Sequence, residues 1–292
     1  MRPLDPLQGI ERLLHQAPPA EVSAALAALD NLDATAAAAK SYALGALALR
    51  LGSLDEAFEH LDTAARRFDA LGEREGAALA RAEAWLASIR RGPRKVYAEA
   101  IDGLQALEAE AGASRLVRVV AAHYRGTALR YAGNAEETLR TLLTAFAASD
   151  GLLAERAQVL NSLGTLYVVL GAYGAAQAVL EHGADISGRI GDKVSEAISY
   201  GQLGSAALAR GALDEARRHL QRQEWLASRV GDAFGQSRAL VLLGDLALDA
   251  GRPDDALELA GAARRVASSV NPPLGMWMAY ATRTIGRAHL EL

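Results

Sequence analysis

Apolar side chains recur along this chain at spacings of three and four residues, without the alternation that is typical of a β-strand. In the segment 197–210, for example, Leu203, Ala206 and Ala207 fall on one face of a helix, and the segment 213–230 follows the same rule. This spacing matches the period of an α-helix, about 3.6 residues per turn, and not the two-residue period of a strand. The pattern therefore predicts amphipathic helices along the whole chain.

Glycines interrupt this pattern at regular intervals, which indicates an internal repeat. The first series is spaced by 40, 41, 38, 40 and 40 residues: Gly52, Gly92, Gly133, Gly171, Gly211 and Gly251. The second series lies about midway between these glycines and is continued by Asn271: Gly72, Gly112, Gly151, Gly191 and Gly231. Glycine is favoured just after a helix because it adopts the left-handed conformation without strain. Each period of about 40 residues is therefore predicted to contain two helices.

Further positions repeat in phase with the first glycine series. Seven residues before it stands a small residue, a column that Trp85 interrupts once: Gly45, Gly126, Gly164, Gly204 and Gly244. Five residues after it stands Ala57, Ala176, Ala216 or Ala256, and nine residues after it stands Leu61, Ile101, Leu142, Leu180 or Leu220. A glycine inside a helix costs about 1 kcal/mol relative to alanine. Its recurrence at one phase therefore predicts that the paired helix crosses closest at this column.

The order of these residues resembles the tetratricopeptide repeat. That family carries a Leu-Gly pair, an aromatic residue three positions later, then Gly, Ala and a large apolar residue. The best match in this chain is Leu163-Gly164, Tyr167, Gly171, Ala176 and Leu180. The period of about 40 residues is similar to the longer form found in bacterial signal-responsive regulators and kinesin light chains. The resemblance spans nearly the whole chain.

The resemblance implies an all-α fold: a right-handed superhelical solenoid of antiparallel helix hairpins, with about six full repeats and additional terminal helices. Residues 1–32 are predicted to form a leading hairpin from helices over 4–16 and 21–32. Residues 33–271 hold the six repeats. Residues 272–292 place Gly286 in the glycine column, so they form either a capping helix or the start of a truncated seventh repeat.

Composition and charge exclude several classes of function. With 31 basic and 35 acidic residues, the formal net charge of −4 leaves no basic excess for nucleic acid. The absence of cysteine excludes disulfides, thiol catalysis and thiolate metal sites. The N-terminus has no apolar run typical of a secretory signal. Gly171 divides the uncharged stretch 163–180 into two short helices, so no membrane span is expected and a cytoplasmic protein is predicted.

No motif of catalysis or cofactor binding stands out. The chain has no Walker loop, no Gly-x-Gly-x-x-Gly and no Gly-x-Ser-x-Gly. Its six histidines never pair at metal-ligand spacing. Paired carboxylates such as Glu136-Glu137 follow the glycine series, where the dipole of the next helix favours negative charge. We therefore predict a protein that is not an enzyme and that needs no metal or cofactor.

The resemblance also implies where a partner binds. In the tetratricopeptide family the first helix of each hairpin lines the concave groove. The matching polar positions here are His123, Thr127, Gln158, Asn161, Thr165, Ser205, Arg238, Asp245 and Arg283. Amide and hydroxyl side chains can bond to an extended peptide backbone. The predicted function is a scaffold that binds a protein or extended peptide. The alternative is a ligand- or peptide-sensing module of a larger bacterial signalling or transcription regulator.

Overall fold

The computed structural model describes residues 2–7, 9–93, 95–270 and 273–292, and these contain fifteen α-helices and no β-strand. Asn271 and Pro272, which belong to the predicted boundary before the last helix, lie outside the described residues. In chain order the helices are α1 Ile10–Gln16, α2 Pro19–Ala27, α3 Ala34–Leu51, α4 Leu54–Ala70, α5 Arg74–Arg91, α6 Lys95–Ala109, α7 Arg115–Ala132, α8 Ala135–Ala148, α9 Leu153–Val169, α10 Tyr173–Ile190, α11 Lys193–Ala209, α12 Leu213–Val230, α13 Ala233–Asp249, α14 Pro253–Ser268 and α15 Gly275–Glu291.

The chain forms two compact units, Met1–Leu166 and Tyr167–Leu292. In the first unit, α3 packs on α4, α4 on α5, α6 on α7 and α7 on α8, while the odd-numbered helices α3, α5 and α7 also contact each other in order. In the second unit, consecutive helices from α10 to α15 pack in the same way, and α13 contacts both α11 and α15. Each unit is therefore a stack of helix hairpins whose odd-numbered helices form one layer. The all-α repeat fold predicted from the sequence is confirmed.

The glycine series end the helices as predicted. Every glycine of both series has a positive φ, between 67° and 88°. Residues with a Cβ are strained in this region, and glycine is not. At Gly171 the φ of 74° separates α9 from α10, which confirms two short helices where the chain is uncharged.

Three glycines of the column inside the odd-numbered helices receive a leucine from the partner helix, whereas Gly244 lies closest to Thr284. A Cβ added to Gly45, Gly126 or Gly204 would lie 2.5–2.8 Å from the leucine sixteen residues later, which is Leu61, Leu142 or Leu220. These three leucines are almost completely buried. The helices of each hairpin therefore approach closely because the glycine leaves room for the leucine, as the repeated phase predicts.

The second repeat achieves the same packing with the large and small residues exchanged. Trp85 occupies the column on α5, and Gly103 on α6 faces it, so that a Cβ added to Gly103 would lie 2.7 Å from the indole ring. At Gly286 on α15, no described residue lies within 4 Å of an added Cβ. The column therefore has a different environment in the last helix.

The first two helices are shorter than the sequence predicted. The helix expected over 4–16 begins only at Ile10, because residues 3–7 form turns and Gly9 has a φ of 84°. Pro19 occupies the first turn of α2, which ends at Ala27. Arg50 of α3 donates hydrogen bonds of 2.9 and 2.7 Å to the carbonyl oxygens of Leu14 and Ala17, and so satisfies the C-terminal end of α1.

Candidate functional site

The polar side chains predicted to bind a partner lie on the odd-numbered helices, and each unit holds its own set. In the first unit, His123 of α7 is 8% exposed, and its Nε2 lies 2.7 Å from Oγ of Ser162 on α9. Burial lowers the pKa of His123 from 6.5 to about 4, because a charged imidazole would lose its hydration. His123 is therefore neutral at physiological pH and links α7 to α9.

A serine hydroxyl beside a histidine nitrogen is also the arrangement of a nucleophile with its base. Catalysis of that kind needs a third group that orients the imidazole and donors that stabilise an oxyanion. Among the described residues, no carboxylate forms a hydrogen bond with His123. Both residues also lie inside helices, whose backbone N–H groups are already used. The pair is consequently a structural link between two helices.

The remaining predicted residues of the first unit differ in whether they already interact with other groups of the protein. Thr127 and Thr165 donate hydrogen bonds of 3.2 and 2.9 Å to the carbonyl oxygens of His123 and Asn161, one turn earlier on their own helices. Asn161 is buried and is already engaged within the protein. Gln158 is half-buried and forms no hydrogen bond with a described residue. Gln158 is thus the side chain of this group best able to bond to a ligand.

In the second unit, Arg238 of α13 and Ser205 of α11 are joined. The Nη2 of Arg238 donates to Oγ of Ser205 at 2.5 Å and to the carbonyl oxygen of Gly201 at 3.1 Å, while Nη1 donates to Oε1 of Gln223 at 3.4 Å. Gly201 creates the space, since an added Cβ would overlap Nη1 of Arg238. Burial lowers the pKa of Arg238, and the Asp232 carboxylate opposes this effect.

Asp245 and Arg283 pair with each other between α13 and α15. Arg283 donates to Oδ2 of Asp245 at 2.7 Å, and the Thr284 hydroxyl donates to Oδ1 at 2.8 Å. Arg287 adds a third donor to the same carboxylate at 3.4 Å. The negative charge of Asp245 is therefore compensated inside the protein, while Arg283 remains half-exposed with a side-chain exposure of 53%.

One cluster of the first unit was missed in the sequence. The Tyr42 hydroxyl of α3 donates to Oε1 of Glu83 on α5 at 2.6 Å, and Tyr124 of α7 lies near enough for the Glu83 charge to affect its pKa. Burial raises the pKa of Glu83 from 4.5 to about 7. The repeat register contained a signal for it, because Tyr42 lies three residues before its column glycine, as His123 does.

An aromatic cluster of the second unit was missed as well. Phe234 of α13 meets Trp277 of α15 edge-on, with ring centroids 5.5 Å apart, and Tyr280 meets Trp277 at 5.4 Å. The guanidinium of Arg283 lies 5.3 Å from the Tyr280 ring centroid. Phe234 and Tyr280 are 50% and 39% exposed, so this face presents aromatic surface to solvent.

The described residues offer neither a metal site nor a membrane span. No group of three or more His, Asp or Glu side chains in that part of the chain is placed to hold a metal ion. None of the helices there combines the length and the apolar composition that a bilayer-spanning segment requires.

Comparison with known proteins gives a fold. No protein-family model and no curated protein matches the chain. Among solved structures, a Rap protein complexed with Competence and Sporulation Factor is 15% identical, with a TM-score of 0.60 over 92% of this chain and 80% of that one. The apo form of RapI is 11% identical, with a TM-score of 0.56 over 91% and 73% of the two chains.

A third similar structure is BtubC from P. vanneervenii, which is 15% identical, with a TM-score of 0.52 over 82% of this chain and 92% of that one. At these identities the likeness concerns the fold alone. It agrees with the helix hairpins, the glycine column and the helix-ending glycines described above. The chain thus has the α-helical-repeat fold that its resemblance to the tetratricopeptide repeat predicted.

Proposed function

We propose that this protein is a non-catalytic scaffold that binds a partner protein or an extended peptide through polar side chains of its odd-numbered helices. The observation that carries the proposal is the state of Arg238. Its side chain is half-buried and its guanidinium forms no ion pair with any described residue, although the Asp232 carboxylate lies near enough to raise its pKa. Placing a charge in such a site is costly unless it is compensated.

The hydrogen bonds of Arg238 leave part of its donor capacity for a ligand. A guanidinium has five N–H donors, and Gly201, Ser205 and Gln223 occupy three of them. These bonds also hold the side chain in one orientation, which reduces the entropy lost when a ligand binds. A peptide supplies the carbonyl and carboxylate oxygens that the remaining donors require. Arg238 is therefore a preorganised donor on α13.

The solved structures support binding of this kind. One of the similar folds is a Rap protein in complex with Competence and Sporulation Factor. The same likeness favours the second candidate function, in which this chain is a ligand- or peptide-sensing module of a larger bacterial signalling or transcription regulator. The two candidates share a binding step and differ in whether binding is transmitted to another domain.

The binding step is tested with a displayed library of random heptapeptides, selected on the purified protein. The best peptide is then measured by fluorescence anisotropy against variants. Replacing Arg238 by Met keeps much of its volume and removes its donors, and a hydrogen bond to a charged group contributes about 1.5–3 kcal/mol. We expect Arg238→Met to weaken binding about tenfold or more.

The matched control is Arg218→Met on α12, because Arg218 is exposed and forms no hydrogen bond or ion pair with a described residue. Gln158→Ala tests the first unit separately and is expected to weaken binding by a smaller factor. Selection of no peptide, or equal loss in Arg238→Met and Arg218→Met, would contradict the proposal. Circular dichroism melting of each variant separates lost binding from lost folding.

A further inference from the structure

The Tyr42–Glu83–Tyr124 cluster of the first unit has two polar atoms that the protein leaves open. Oε1 of Glu83 accepts the hydrogen bond from Tyr42, but its Oε2 has no hydrogen-bond partner among the described residues. The Tyr124 hydroxyl also lacks a described partner, although Tyr124 is only 8% exposed. Tyr42 is 9% exposed and Glu83 is half-buried. A hydrogen bond thus joins Tyr42 of α3 to Glu83 of α5, and Tyr124 of α7 lies near enough for the Glu83 charge to affect its pKa.

Charged groups of both signs surround the cluster. From α1, the carboxylate of Glu11 raises the pKa of Tyr42, and from α9 the carboxylate of Glu155 raises the pKa of Tyr124. Two cationic groups oppose them: His15 of α1 lowers the pKa of Glu83, and Arg90 of α5 lowers that of Tyr124. The cluster, with its own carboxyl of Glu83, therefore faces two further carboxylates, one guanidinium and one imidazole.

The carboxylate of Glu83 has no guanidinium or ammonium partner inside the protein. Burial raises its pKa to about 7, so an empty site takes up a proton near neutral pH. A bound cation would favour the ionised form and supply the missing countercharge. Organic cations are attracted to tyrosine rings, and the Tyr42 ring is held beside the carboxylate by its hydroxyl.

We propose that Glu83, Tyr42 and Tyr124 form a binding site for an organic cation of the alkylammonium or alkylguanidinium class. The site itself does not depend on the proposed function. If that function holds, which this second step assumes, the cation is a Lys or Arg side chain or the terminal amine of the bound peptide. The cluster then selects basic peptides, and it does so on the first unit alone.

The direct test uses n-butylguanidinium as the probe and the Glu83 carboxyl as the reporter. Glutamate labelled with ¹³C at the carboxyl carbon gives a titration curve for each glutamate, and Glu83→Gln identifies the Glu83 signal. A cation that binds only the ionised form lowers the pKa by about one unit when its concentration is ten times its dissociation constant. Neutral n-pentanamide and equimolar sodium chloride are the control additions, and neither is expected to change the pKa.

Variants show whether the named side chains form the site. We expect Glu83→Gln to abolish binding of butylguanidinium, and Tyr124→Phe, which keeps the ring and removes the hydroxyl, to weaken it a few-fold. Glu99→Gln on α6 is the matched control, since Glu99 is exposed and has no described hydrogen-bond partner. An unchanged pKa of Glu83 in 100 mM butylguanidinium, in the intact protein, overturns the proposal.

The peptide library separates this inference from the proposed function. A pKa shift with butylguanidinium, but no selected peptide, supports the cation site and contradicts peptide binding. Selected peptides that lack a basic residue, and that bind wild type and Glu83→Gln equally, contradict the cation site and support peptide binding. An N-acetylated copy of the library distinguishes the two sources of the cation, because only side chains remain charged there.

Discussion

The replacement of Gly204 by Ala is a sharp test of the repeat packing. A Cβ added to Gly204 would lie 2.8 Å from both Cγ and Cδ2 of Leu220, whereas carbon atoms normally approach to about 3.5–4.0 Å. Leu220 is completely buried, so it has no free space into which it can move. Gly286 occupies the same column on α15, but no described residue lies within 4 Å of its added Cβ. The two glycines therefore form a matched pair.

Two opposing effects determine how far each substitution changes the free energy of unfolding. Alanine is favoured over glycine inside a helix by about 1 kcal/mol, and this gain is common to both positions apart from end fraying at Gly286. Overpacking at a buried site costs about 1–3 kcal/mol. We expect Gly286→Ala to stabilise by about 0.5 kcal/mol and Gly204→Ala to destabilise by up to about 2 kcal/mol. The difference between the two variants is the cost of the steric overlap.

Urea unfolding of both variants, followed by circular dichroism at 222 nm, measures this difference. Combining Gly204→Ala with Leu220→Ala should cost less than the sum of the two single losses, because the overlapping side chain is then absent. Equal stabilities for Gly204→Ala and Gly286→Ala would refute the reasoning. So would a double variant whose loss is the simple sum of the two single losses.

Two further predictions concern the pH dependence of the free energy of unfolding and the contact between Trp85 and Gly103. The pKa of Glu83 is raised in the folded protein, so its protonated form adds to the free energy of unfolding below pH 4.5, and this contribution disappears as the pH rises to 7. The pKa of His123 is lowered, so its neutral form adds to the free energy of unfolding above pH 6.5, and this contribution disappears as the pH falls to 4. As the pH falls, the free energy of unfolding of Glu83→Gln should therefore decrease relative to that of wild type, by at most about 3 kcal/mol, and that of His123→Gln should increase relative to wild type. Urea unfolding from pH 4 to 8 measures these differences, and identical pH profiles for both variants and wild type would contradict the prediction. Gly103→Ala should destabilise by about 1–3 kcal/mol through overlap with Trp85, and adding Trp85→Leu should reduce that cost; a purely additive loss in thermal melts would argue against the exchange.

The sequence by itself determined where helices end and which residues line their crossings. A helix ends wherever the backbone must become left-handed, and glycine marks those points locally, so the 40-residue spacing predicted the positive φ angles directly. The same local logic identified Gly204 and Leu220, because a glycine that recurs inside helices needs a packing reason. The same register predicted that nine polar residues lie on the odd-numbered helices.

Only the tertiary structure decided what those polar residues contact. Tyr42 and Glu83 are 41 residues apart, and their hydrogen bond depends on the rotation and axial shift of one helix against the next. The register of the repeat could not show that Arg238 donates to the carbonyl oxygen of Gly201, or that Asp245 is compensated from α15. Helix periodicity is a property of neighbouring residues, whereas the charge and openness of a site depend on side chains about one repeat apart.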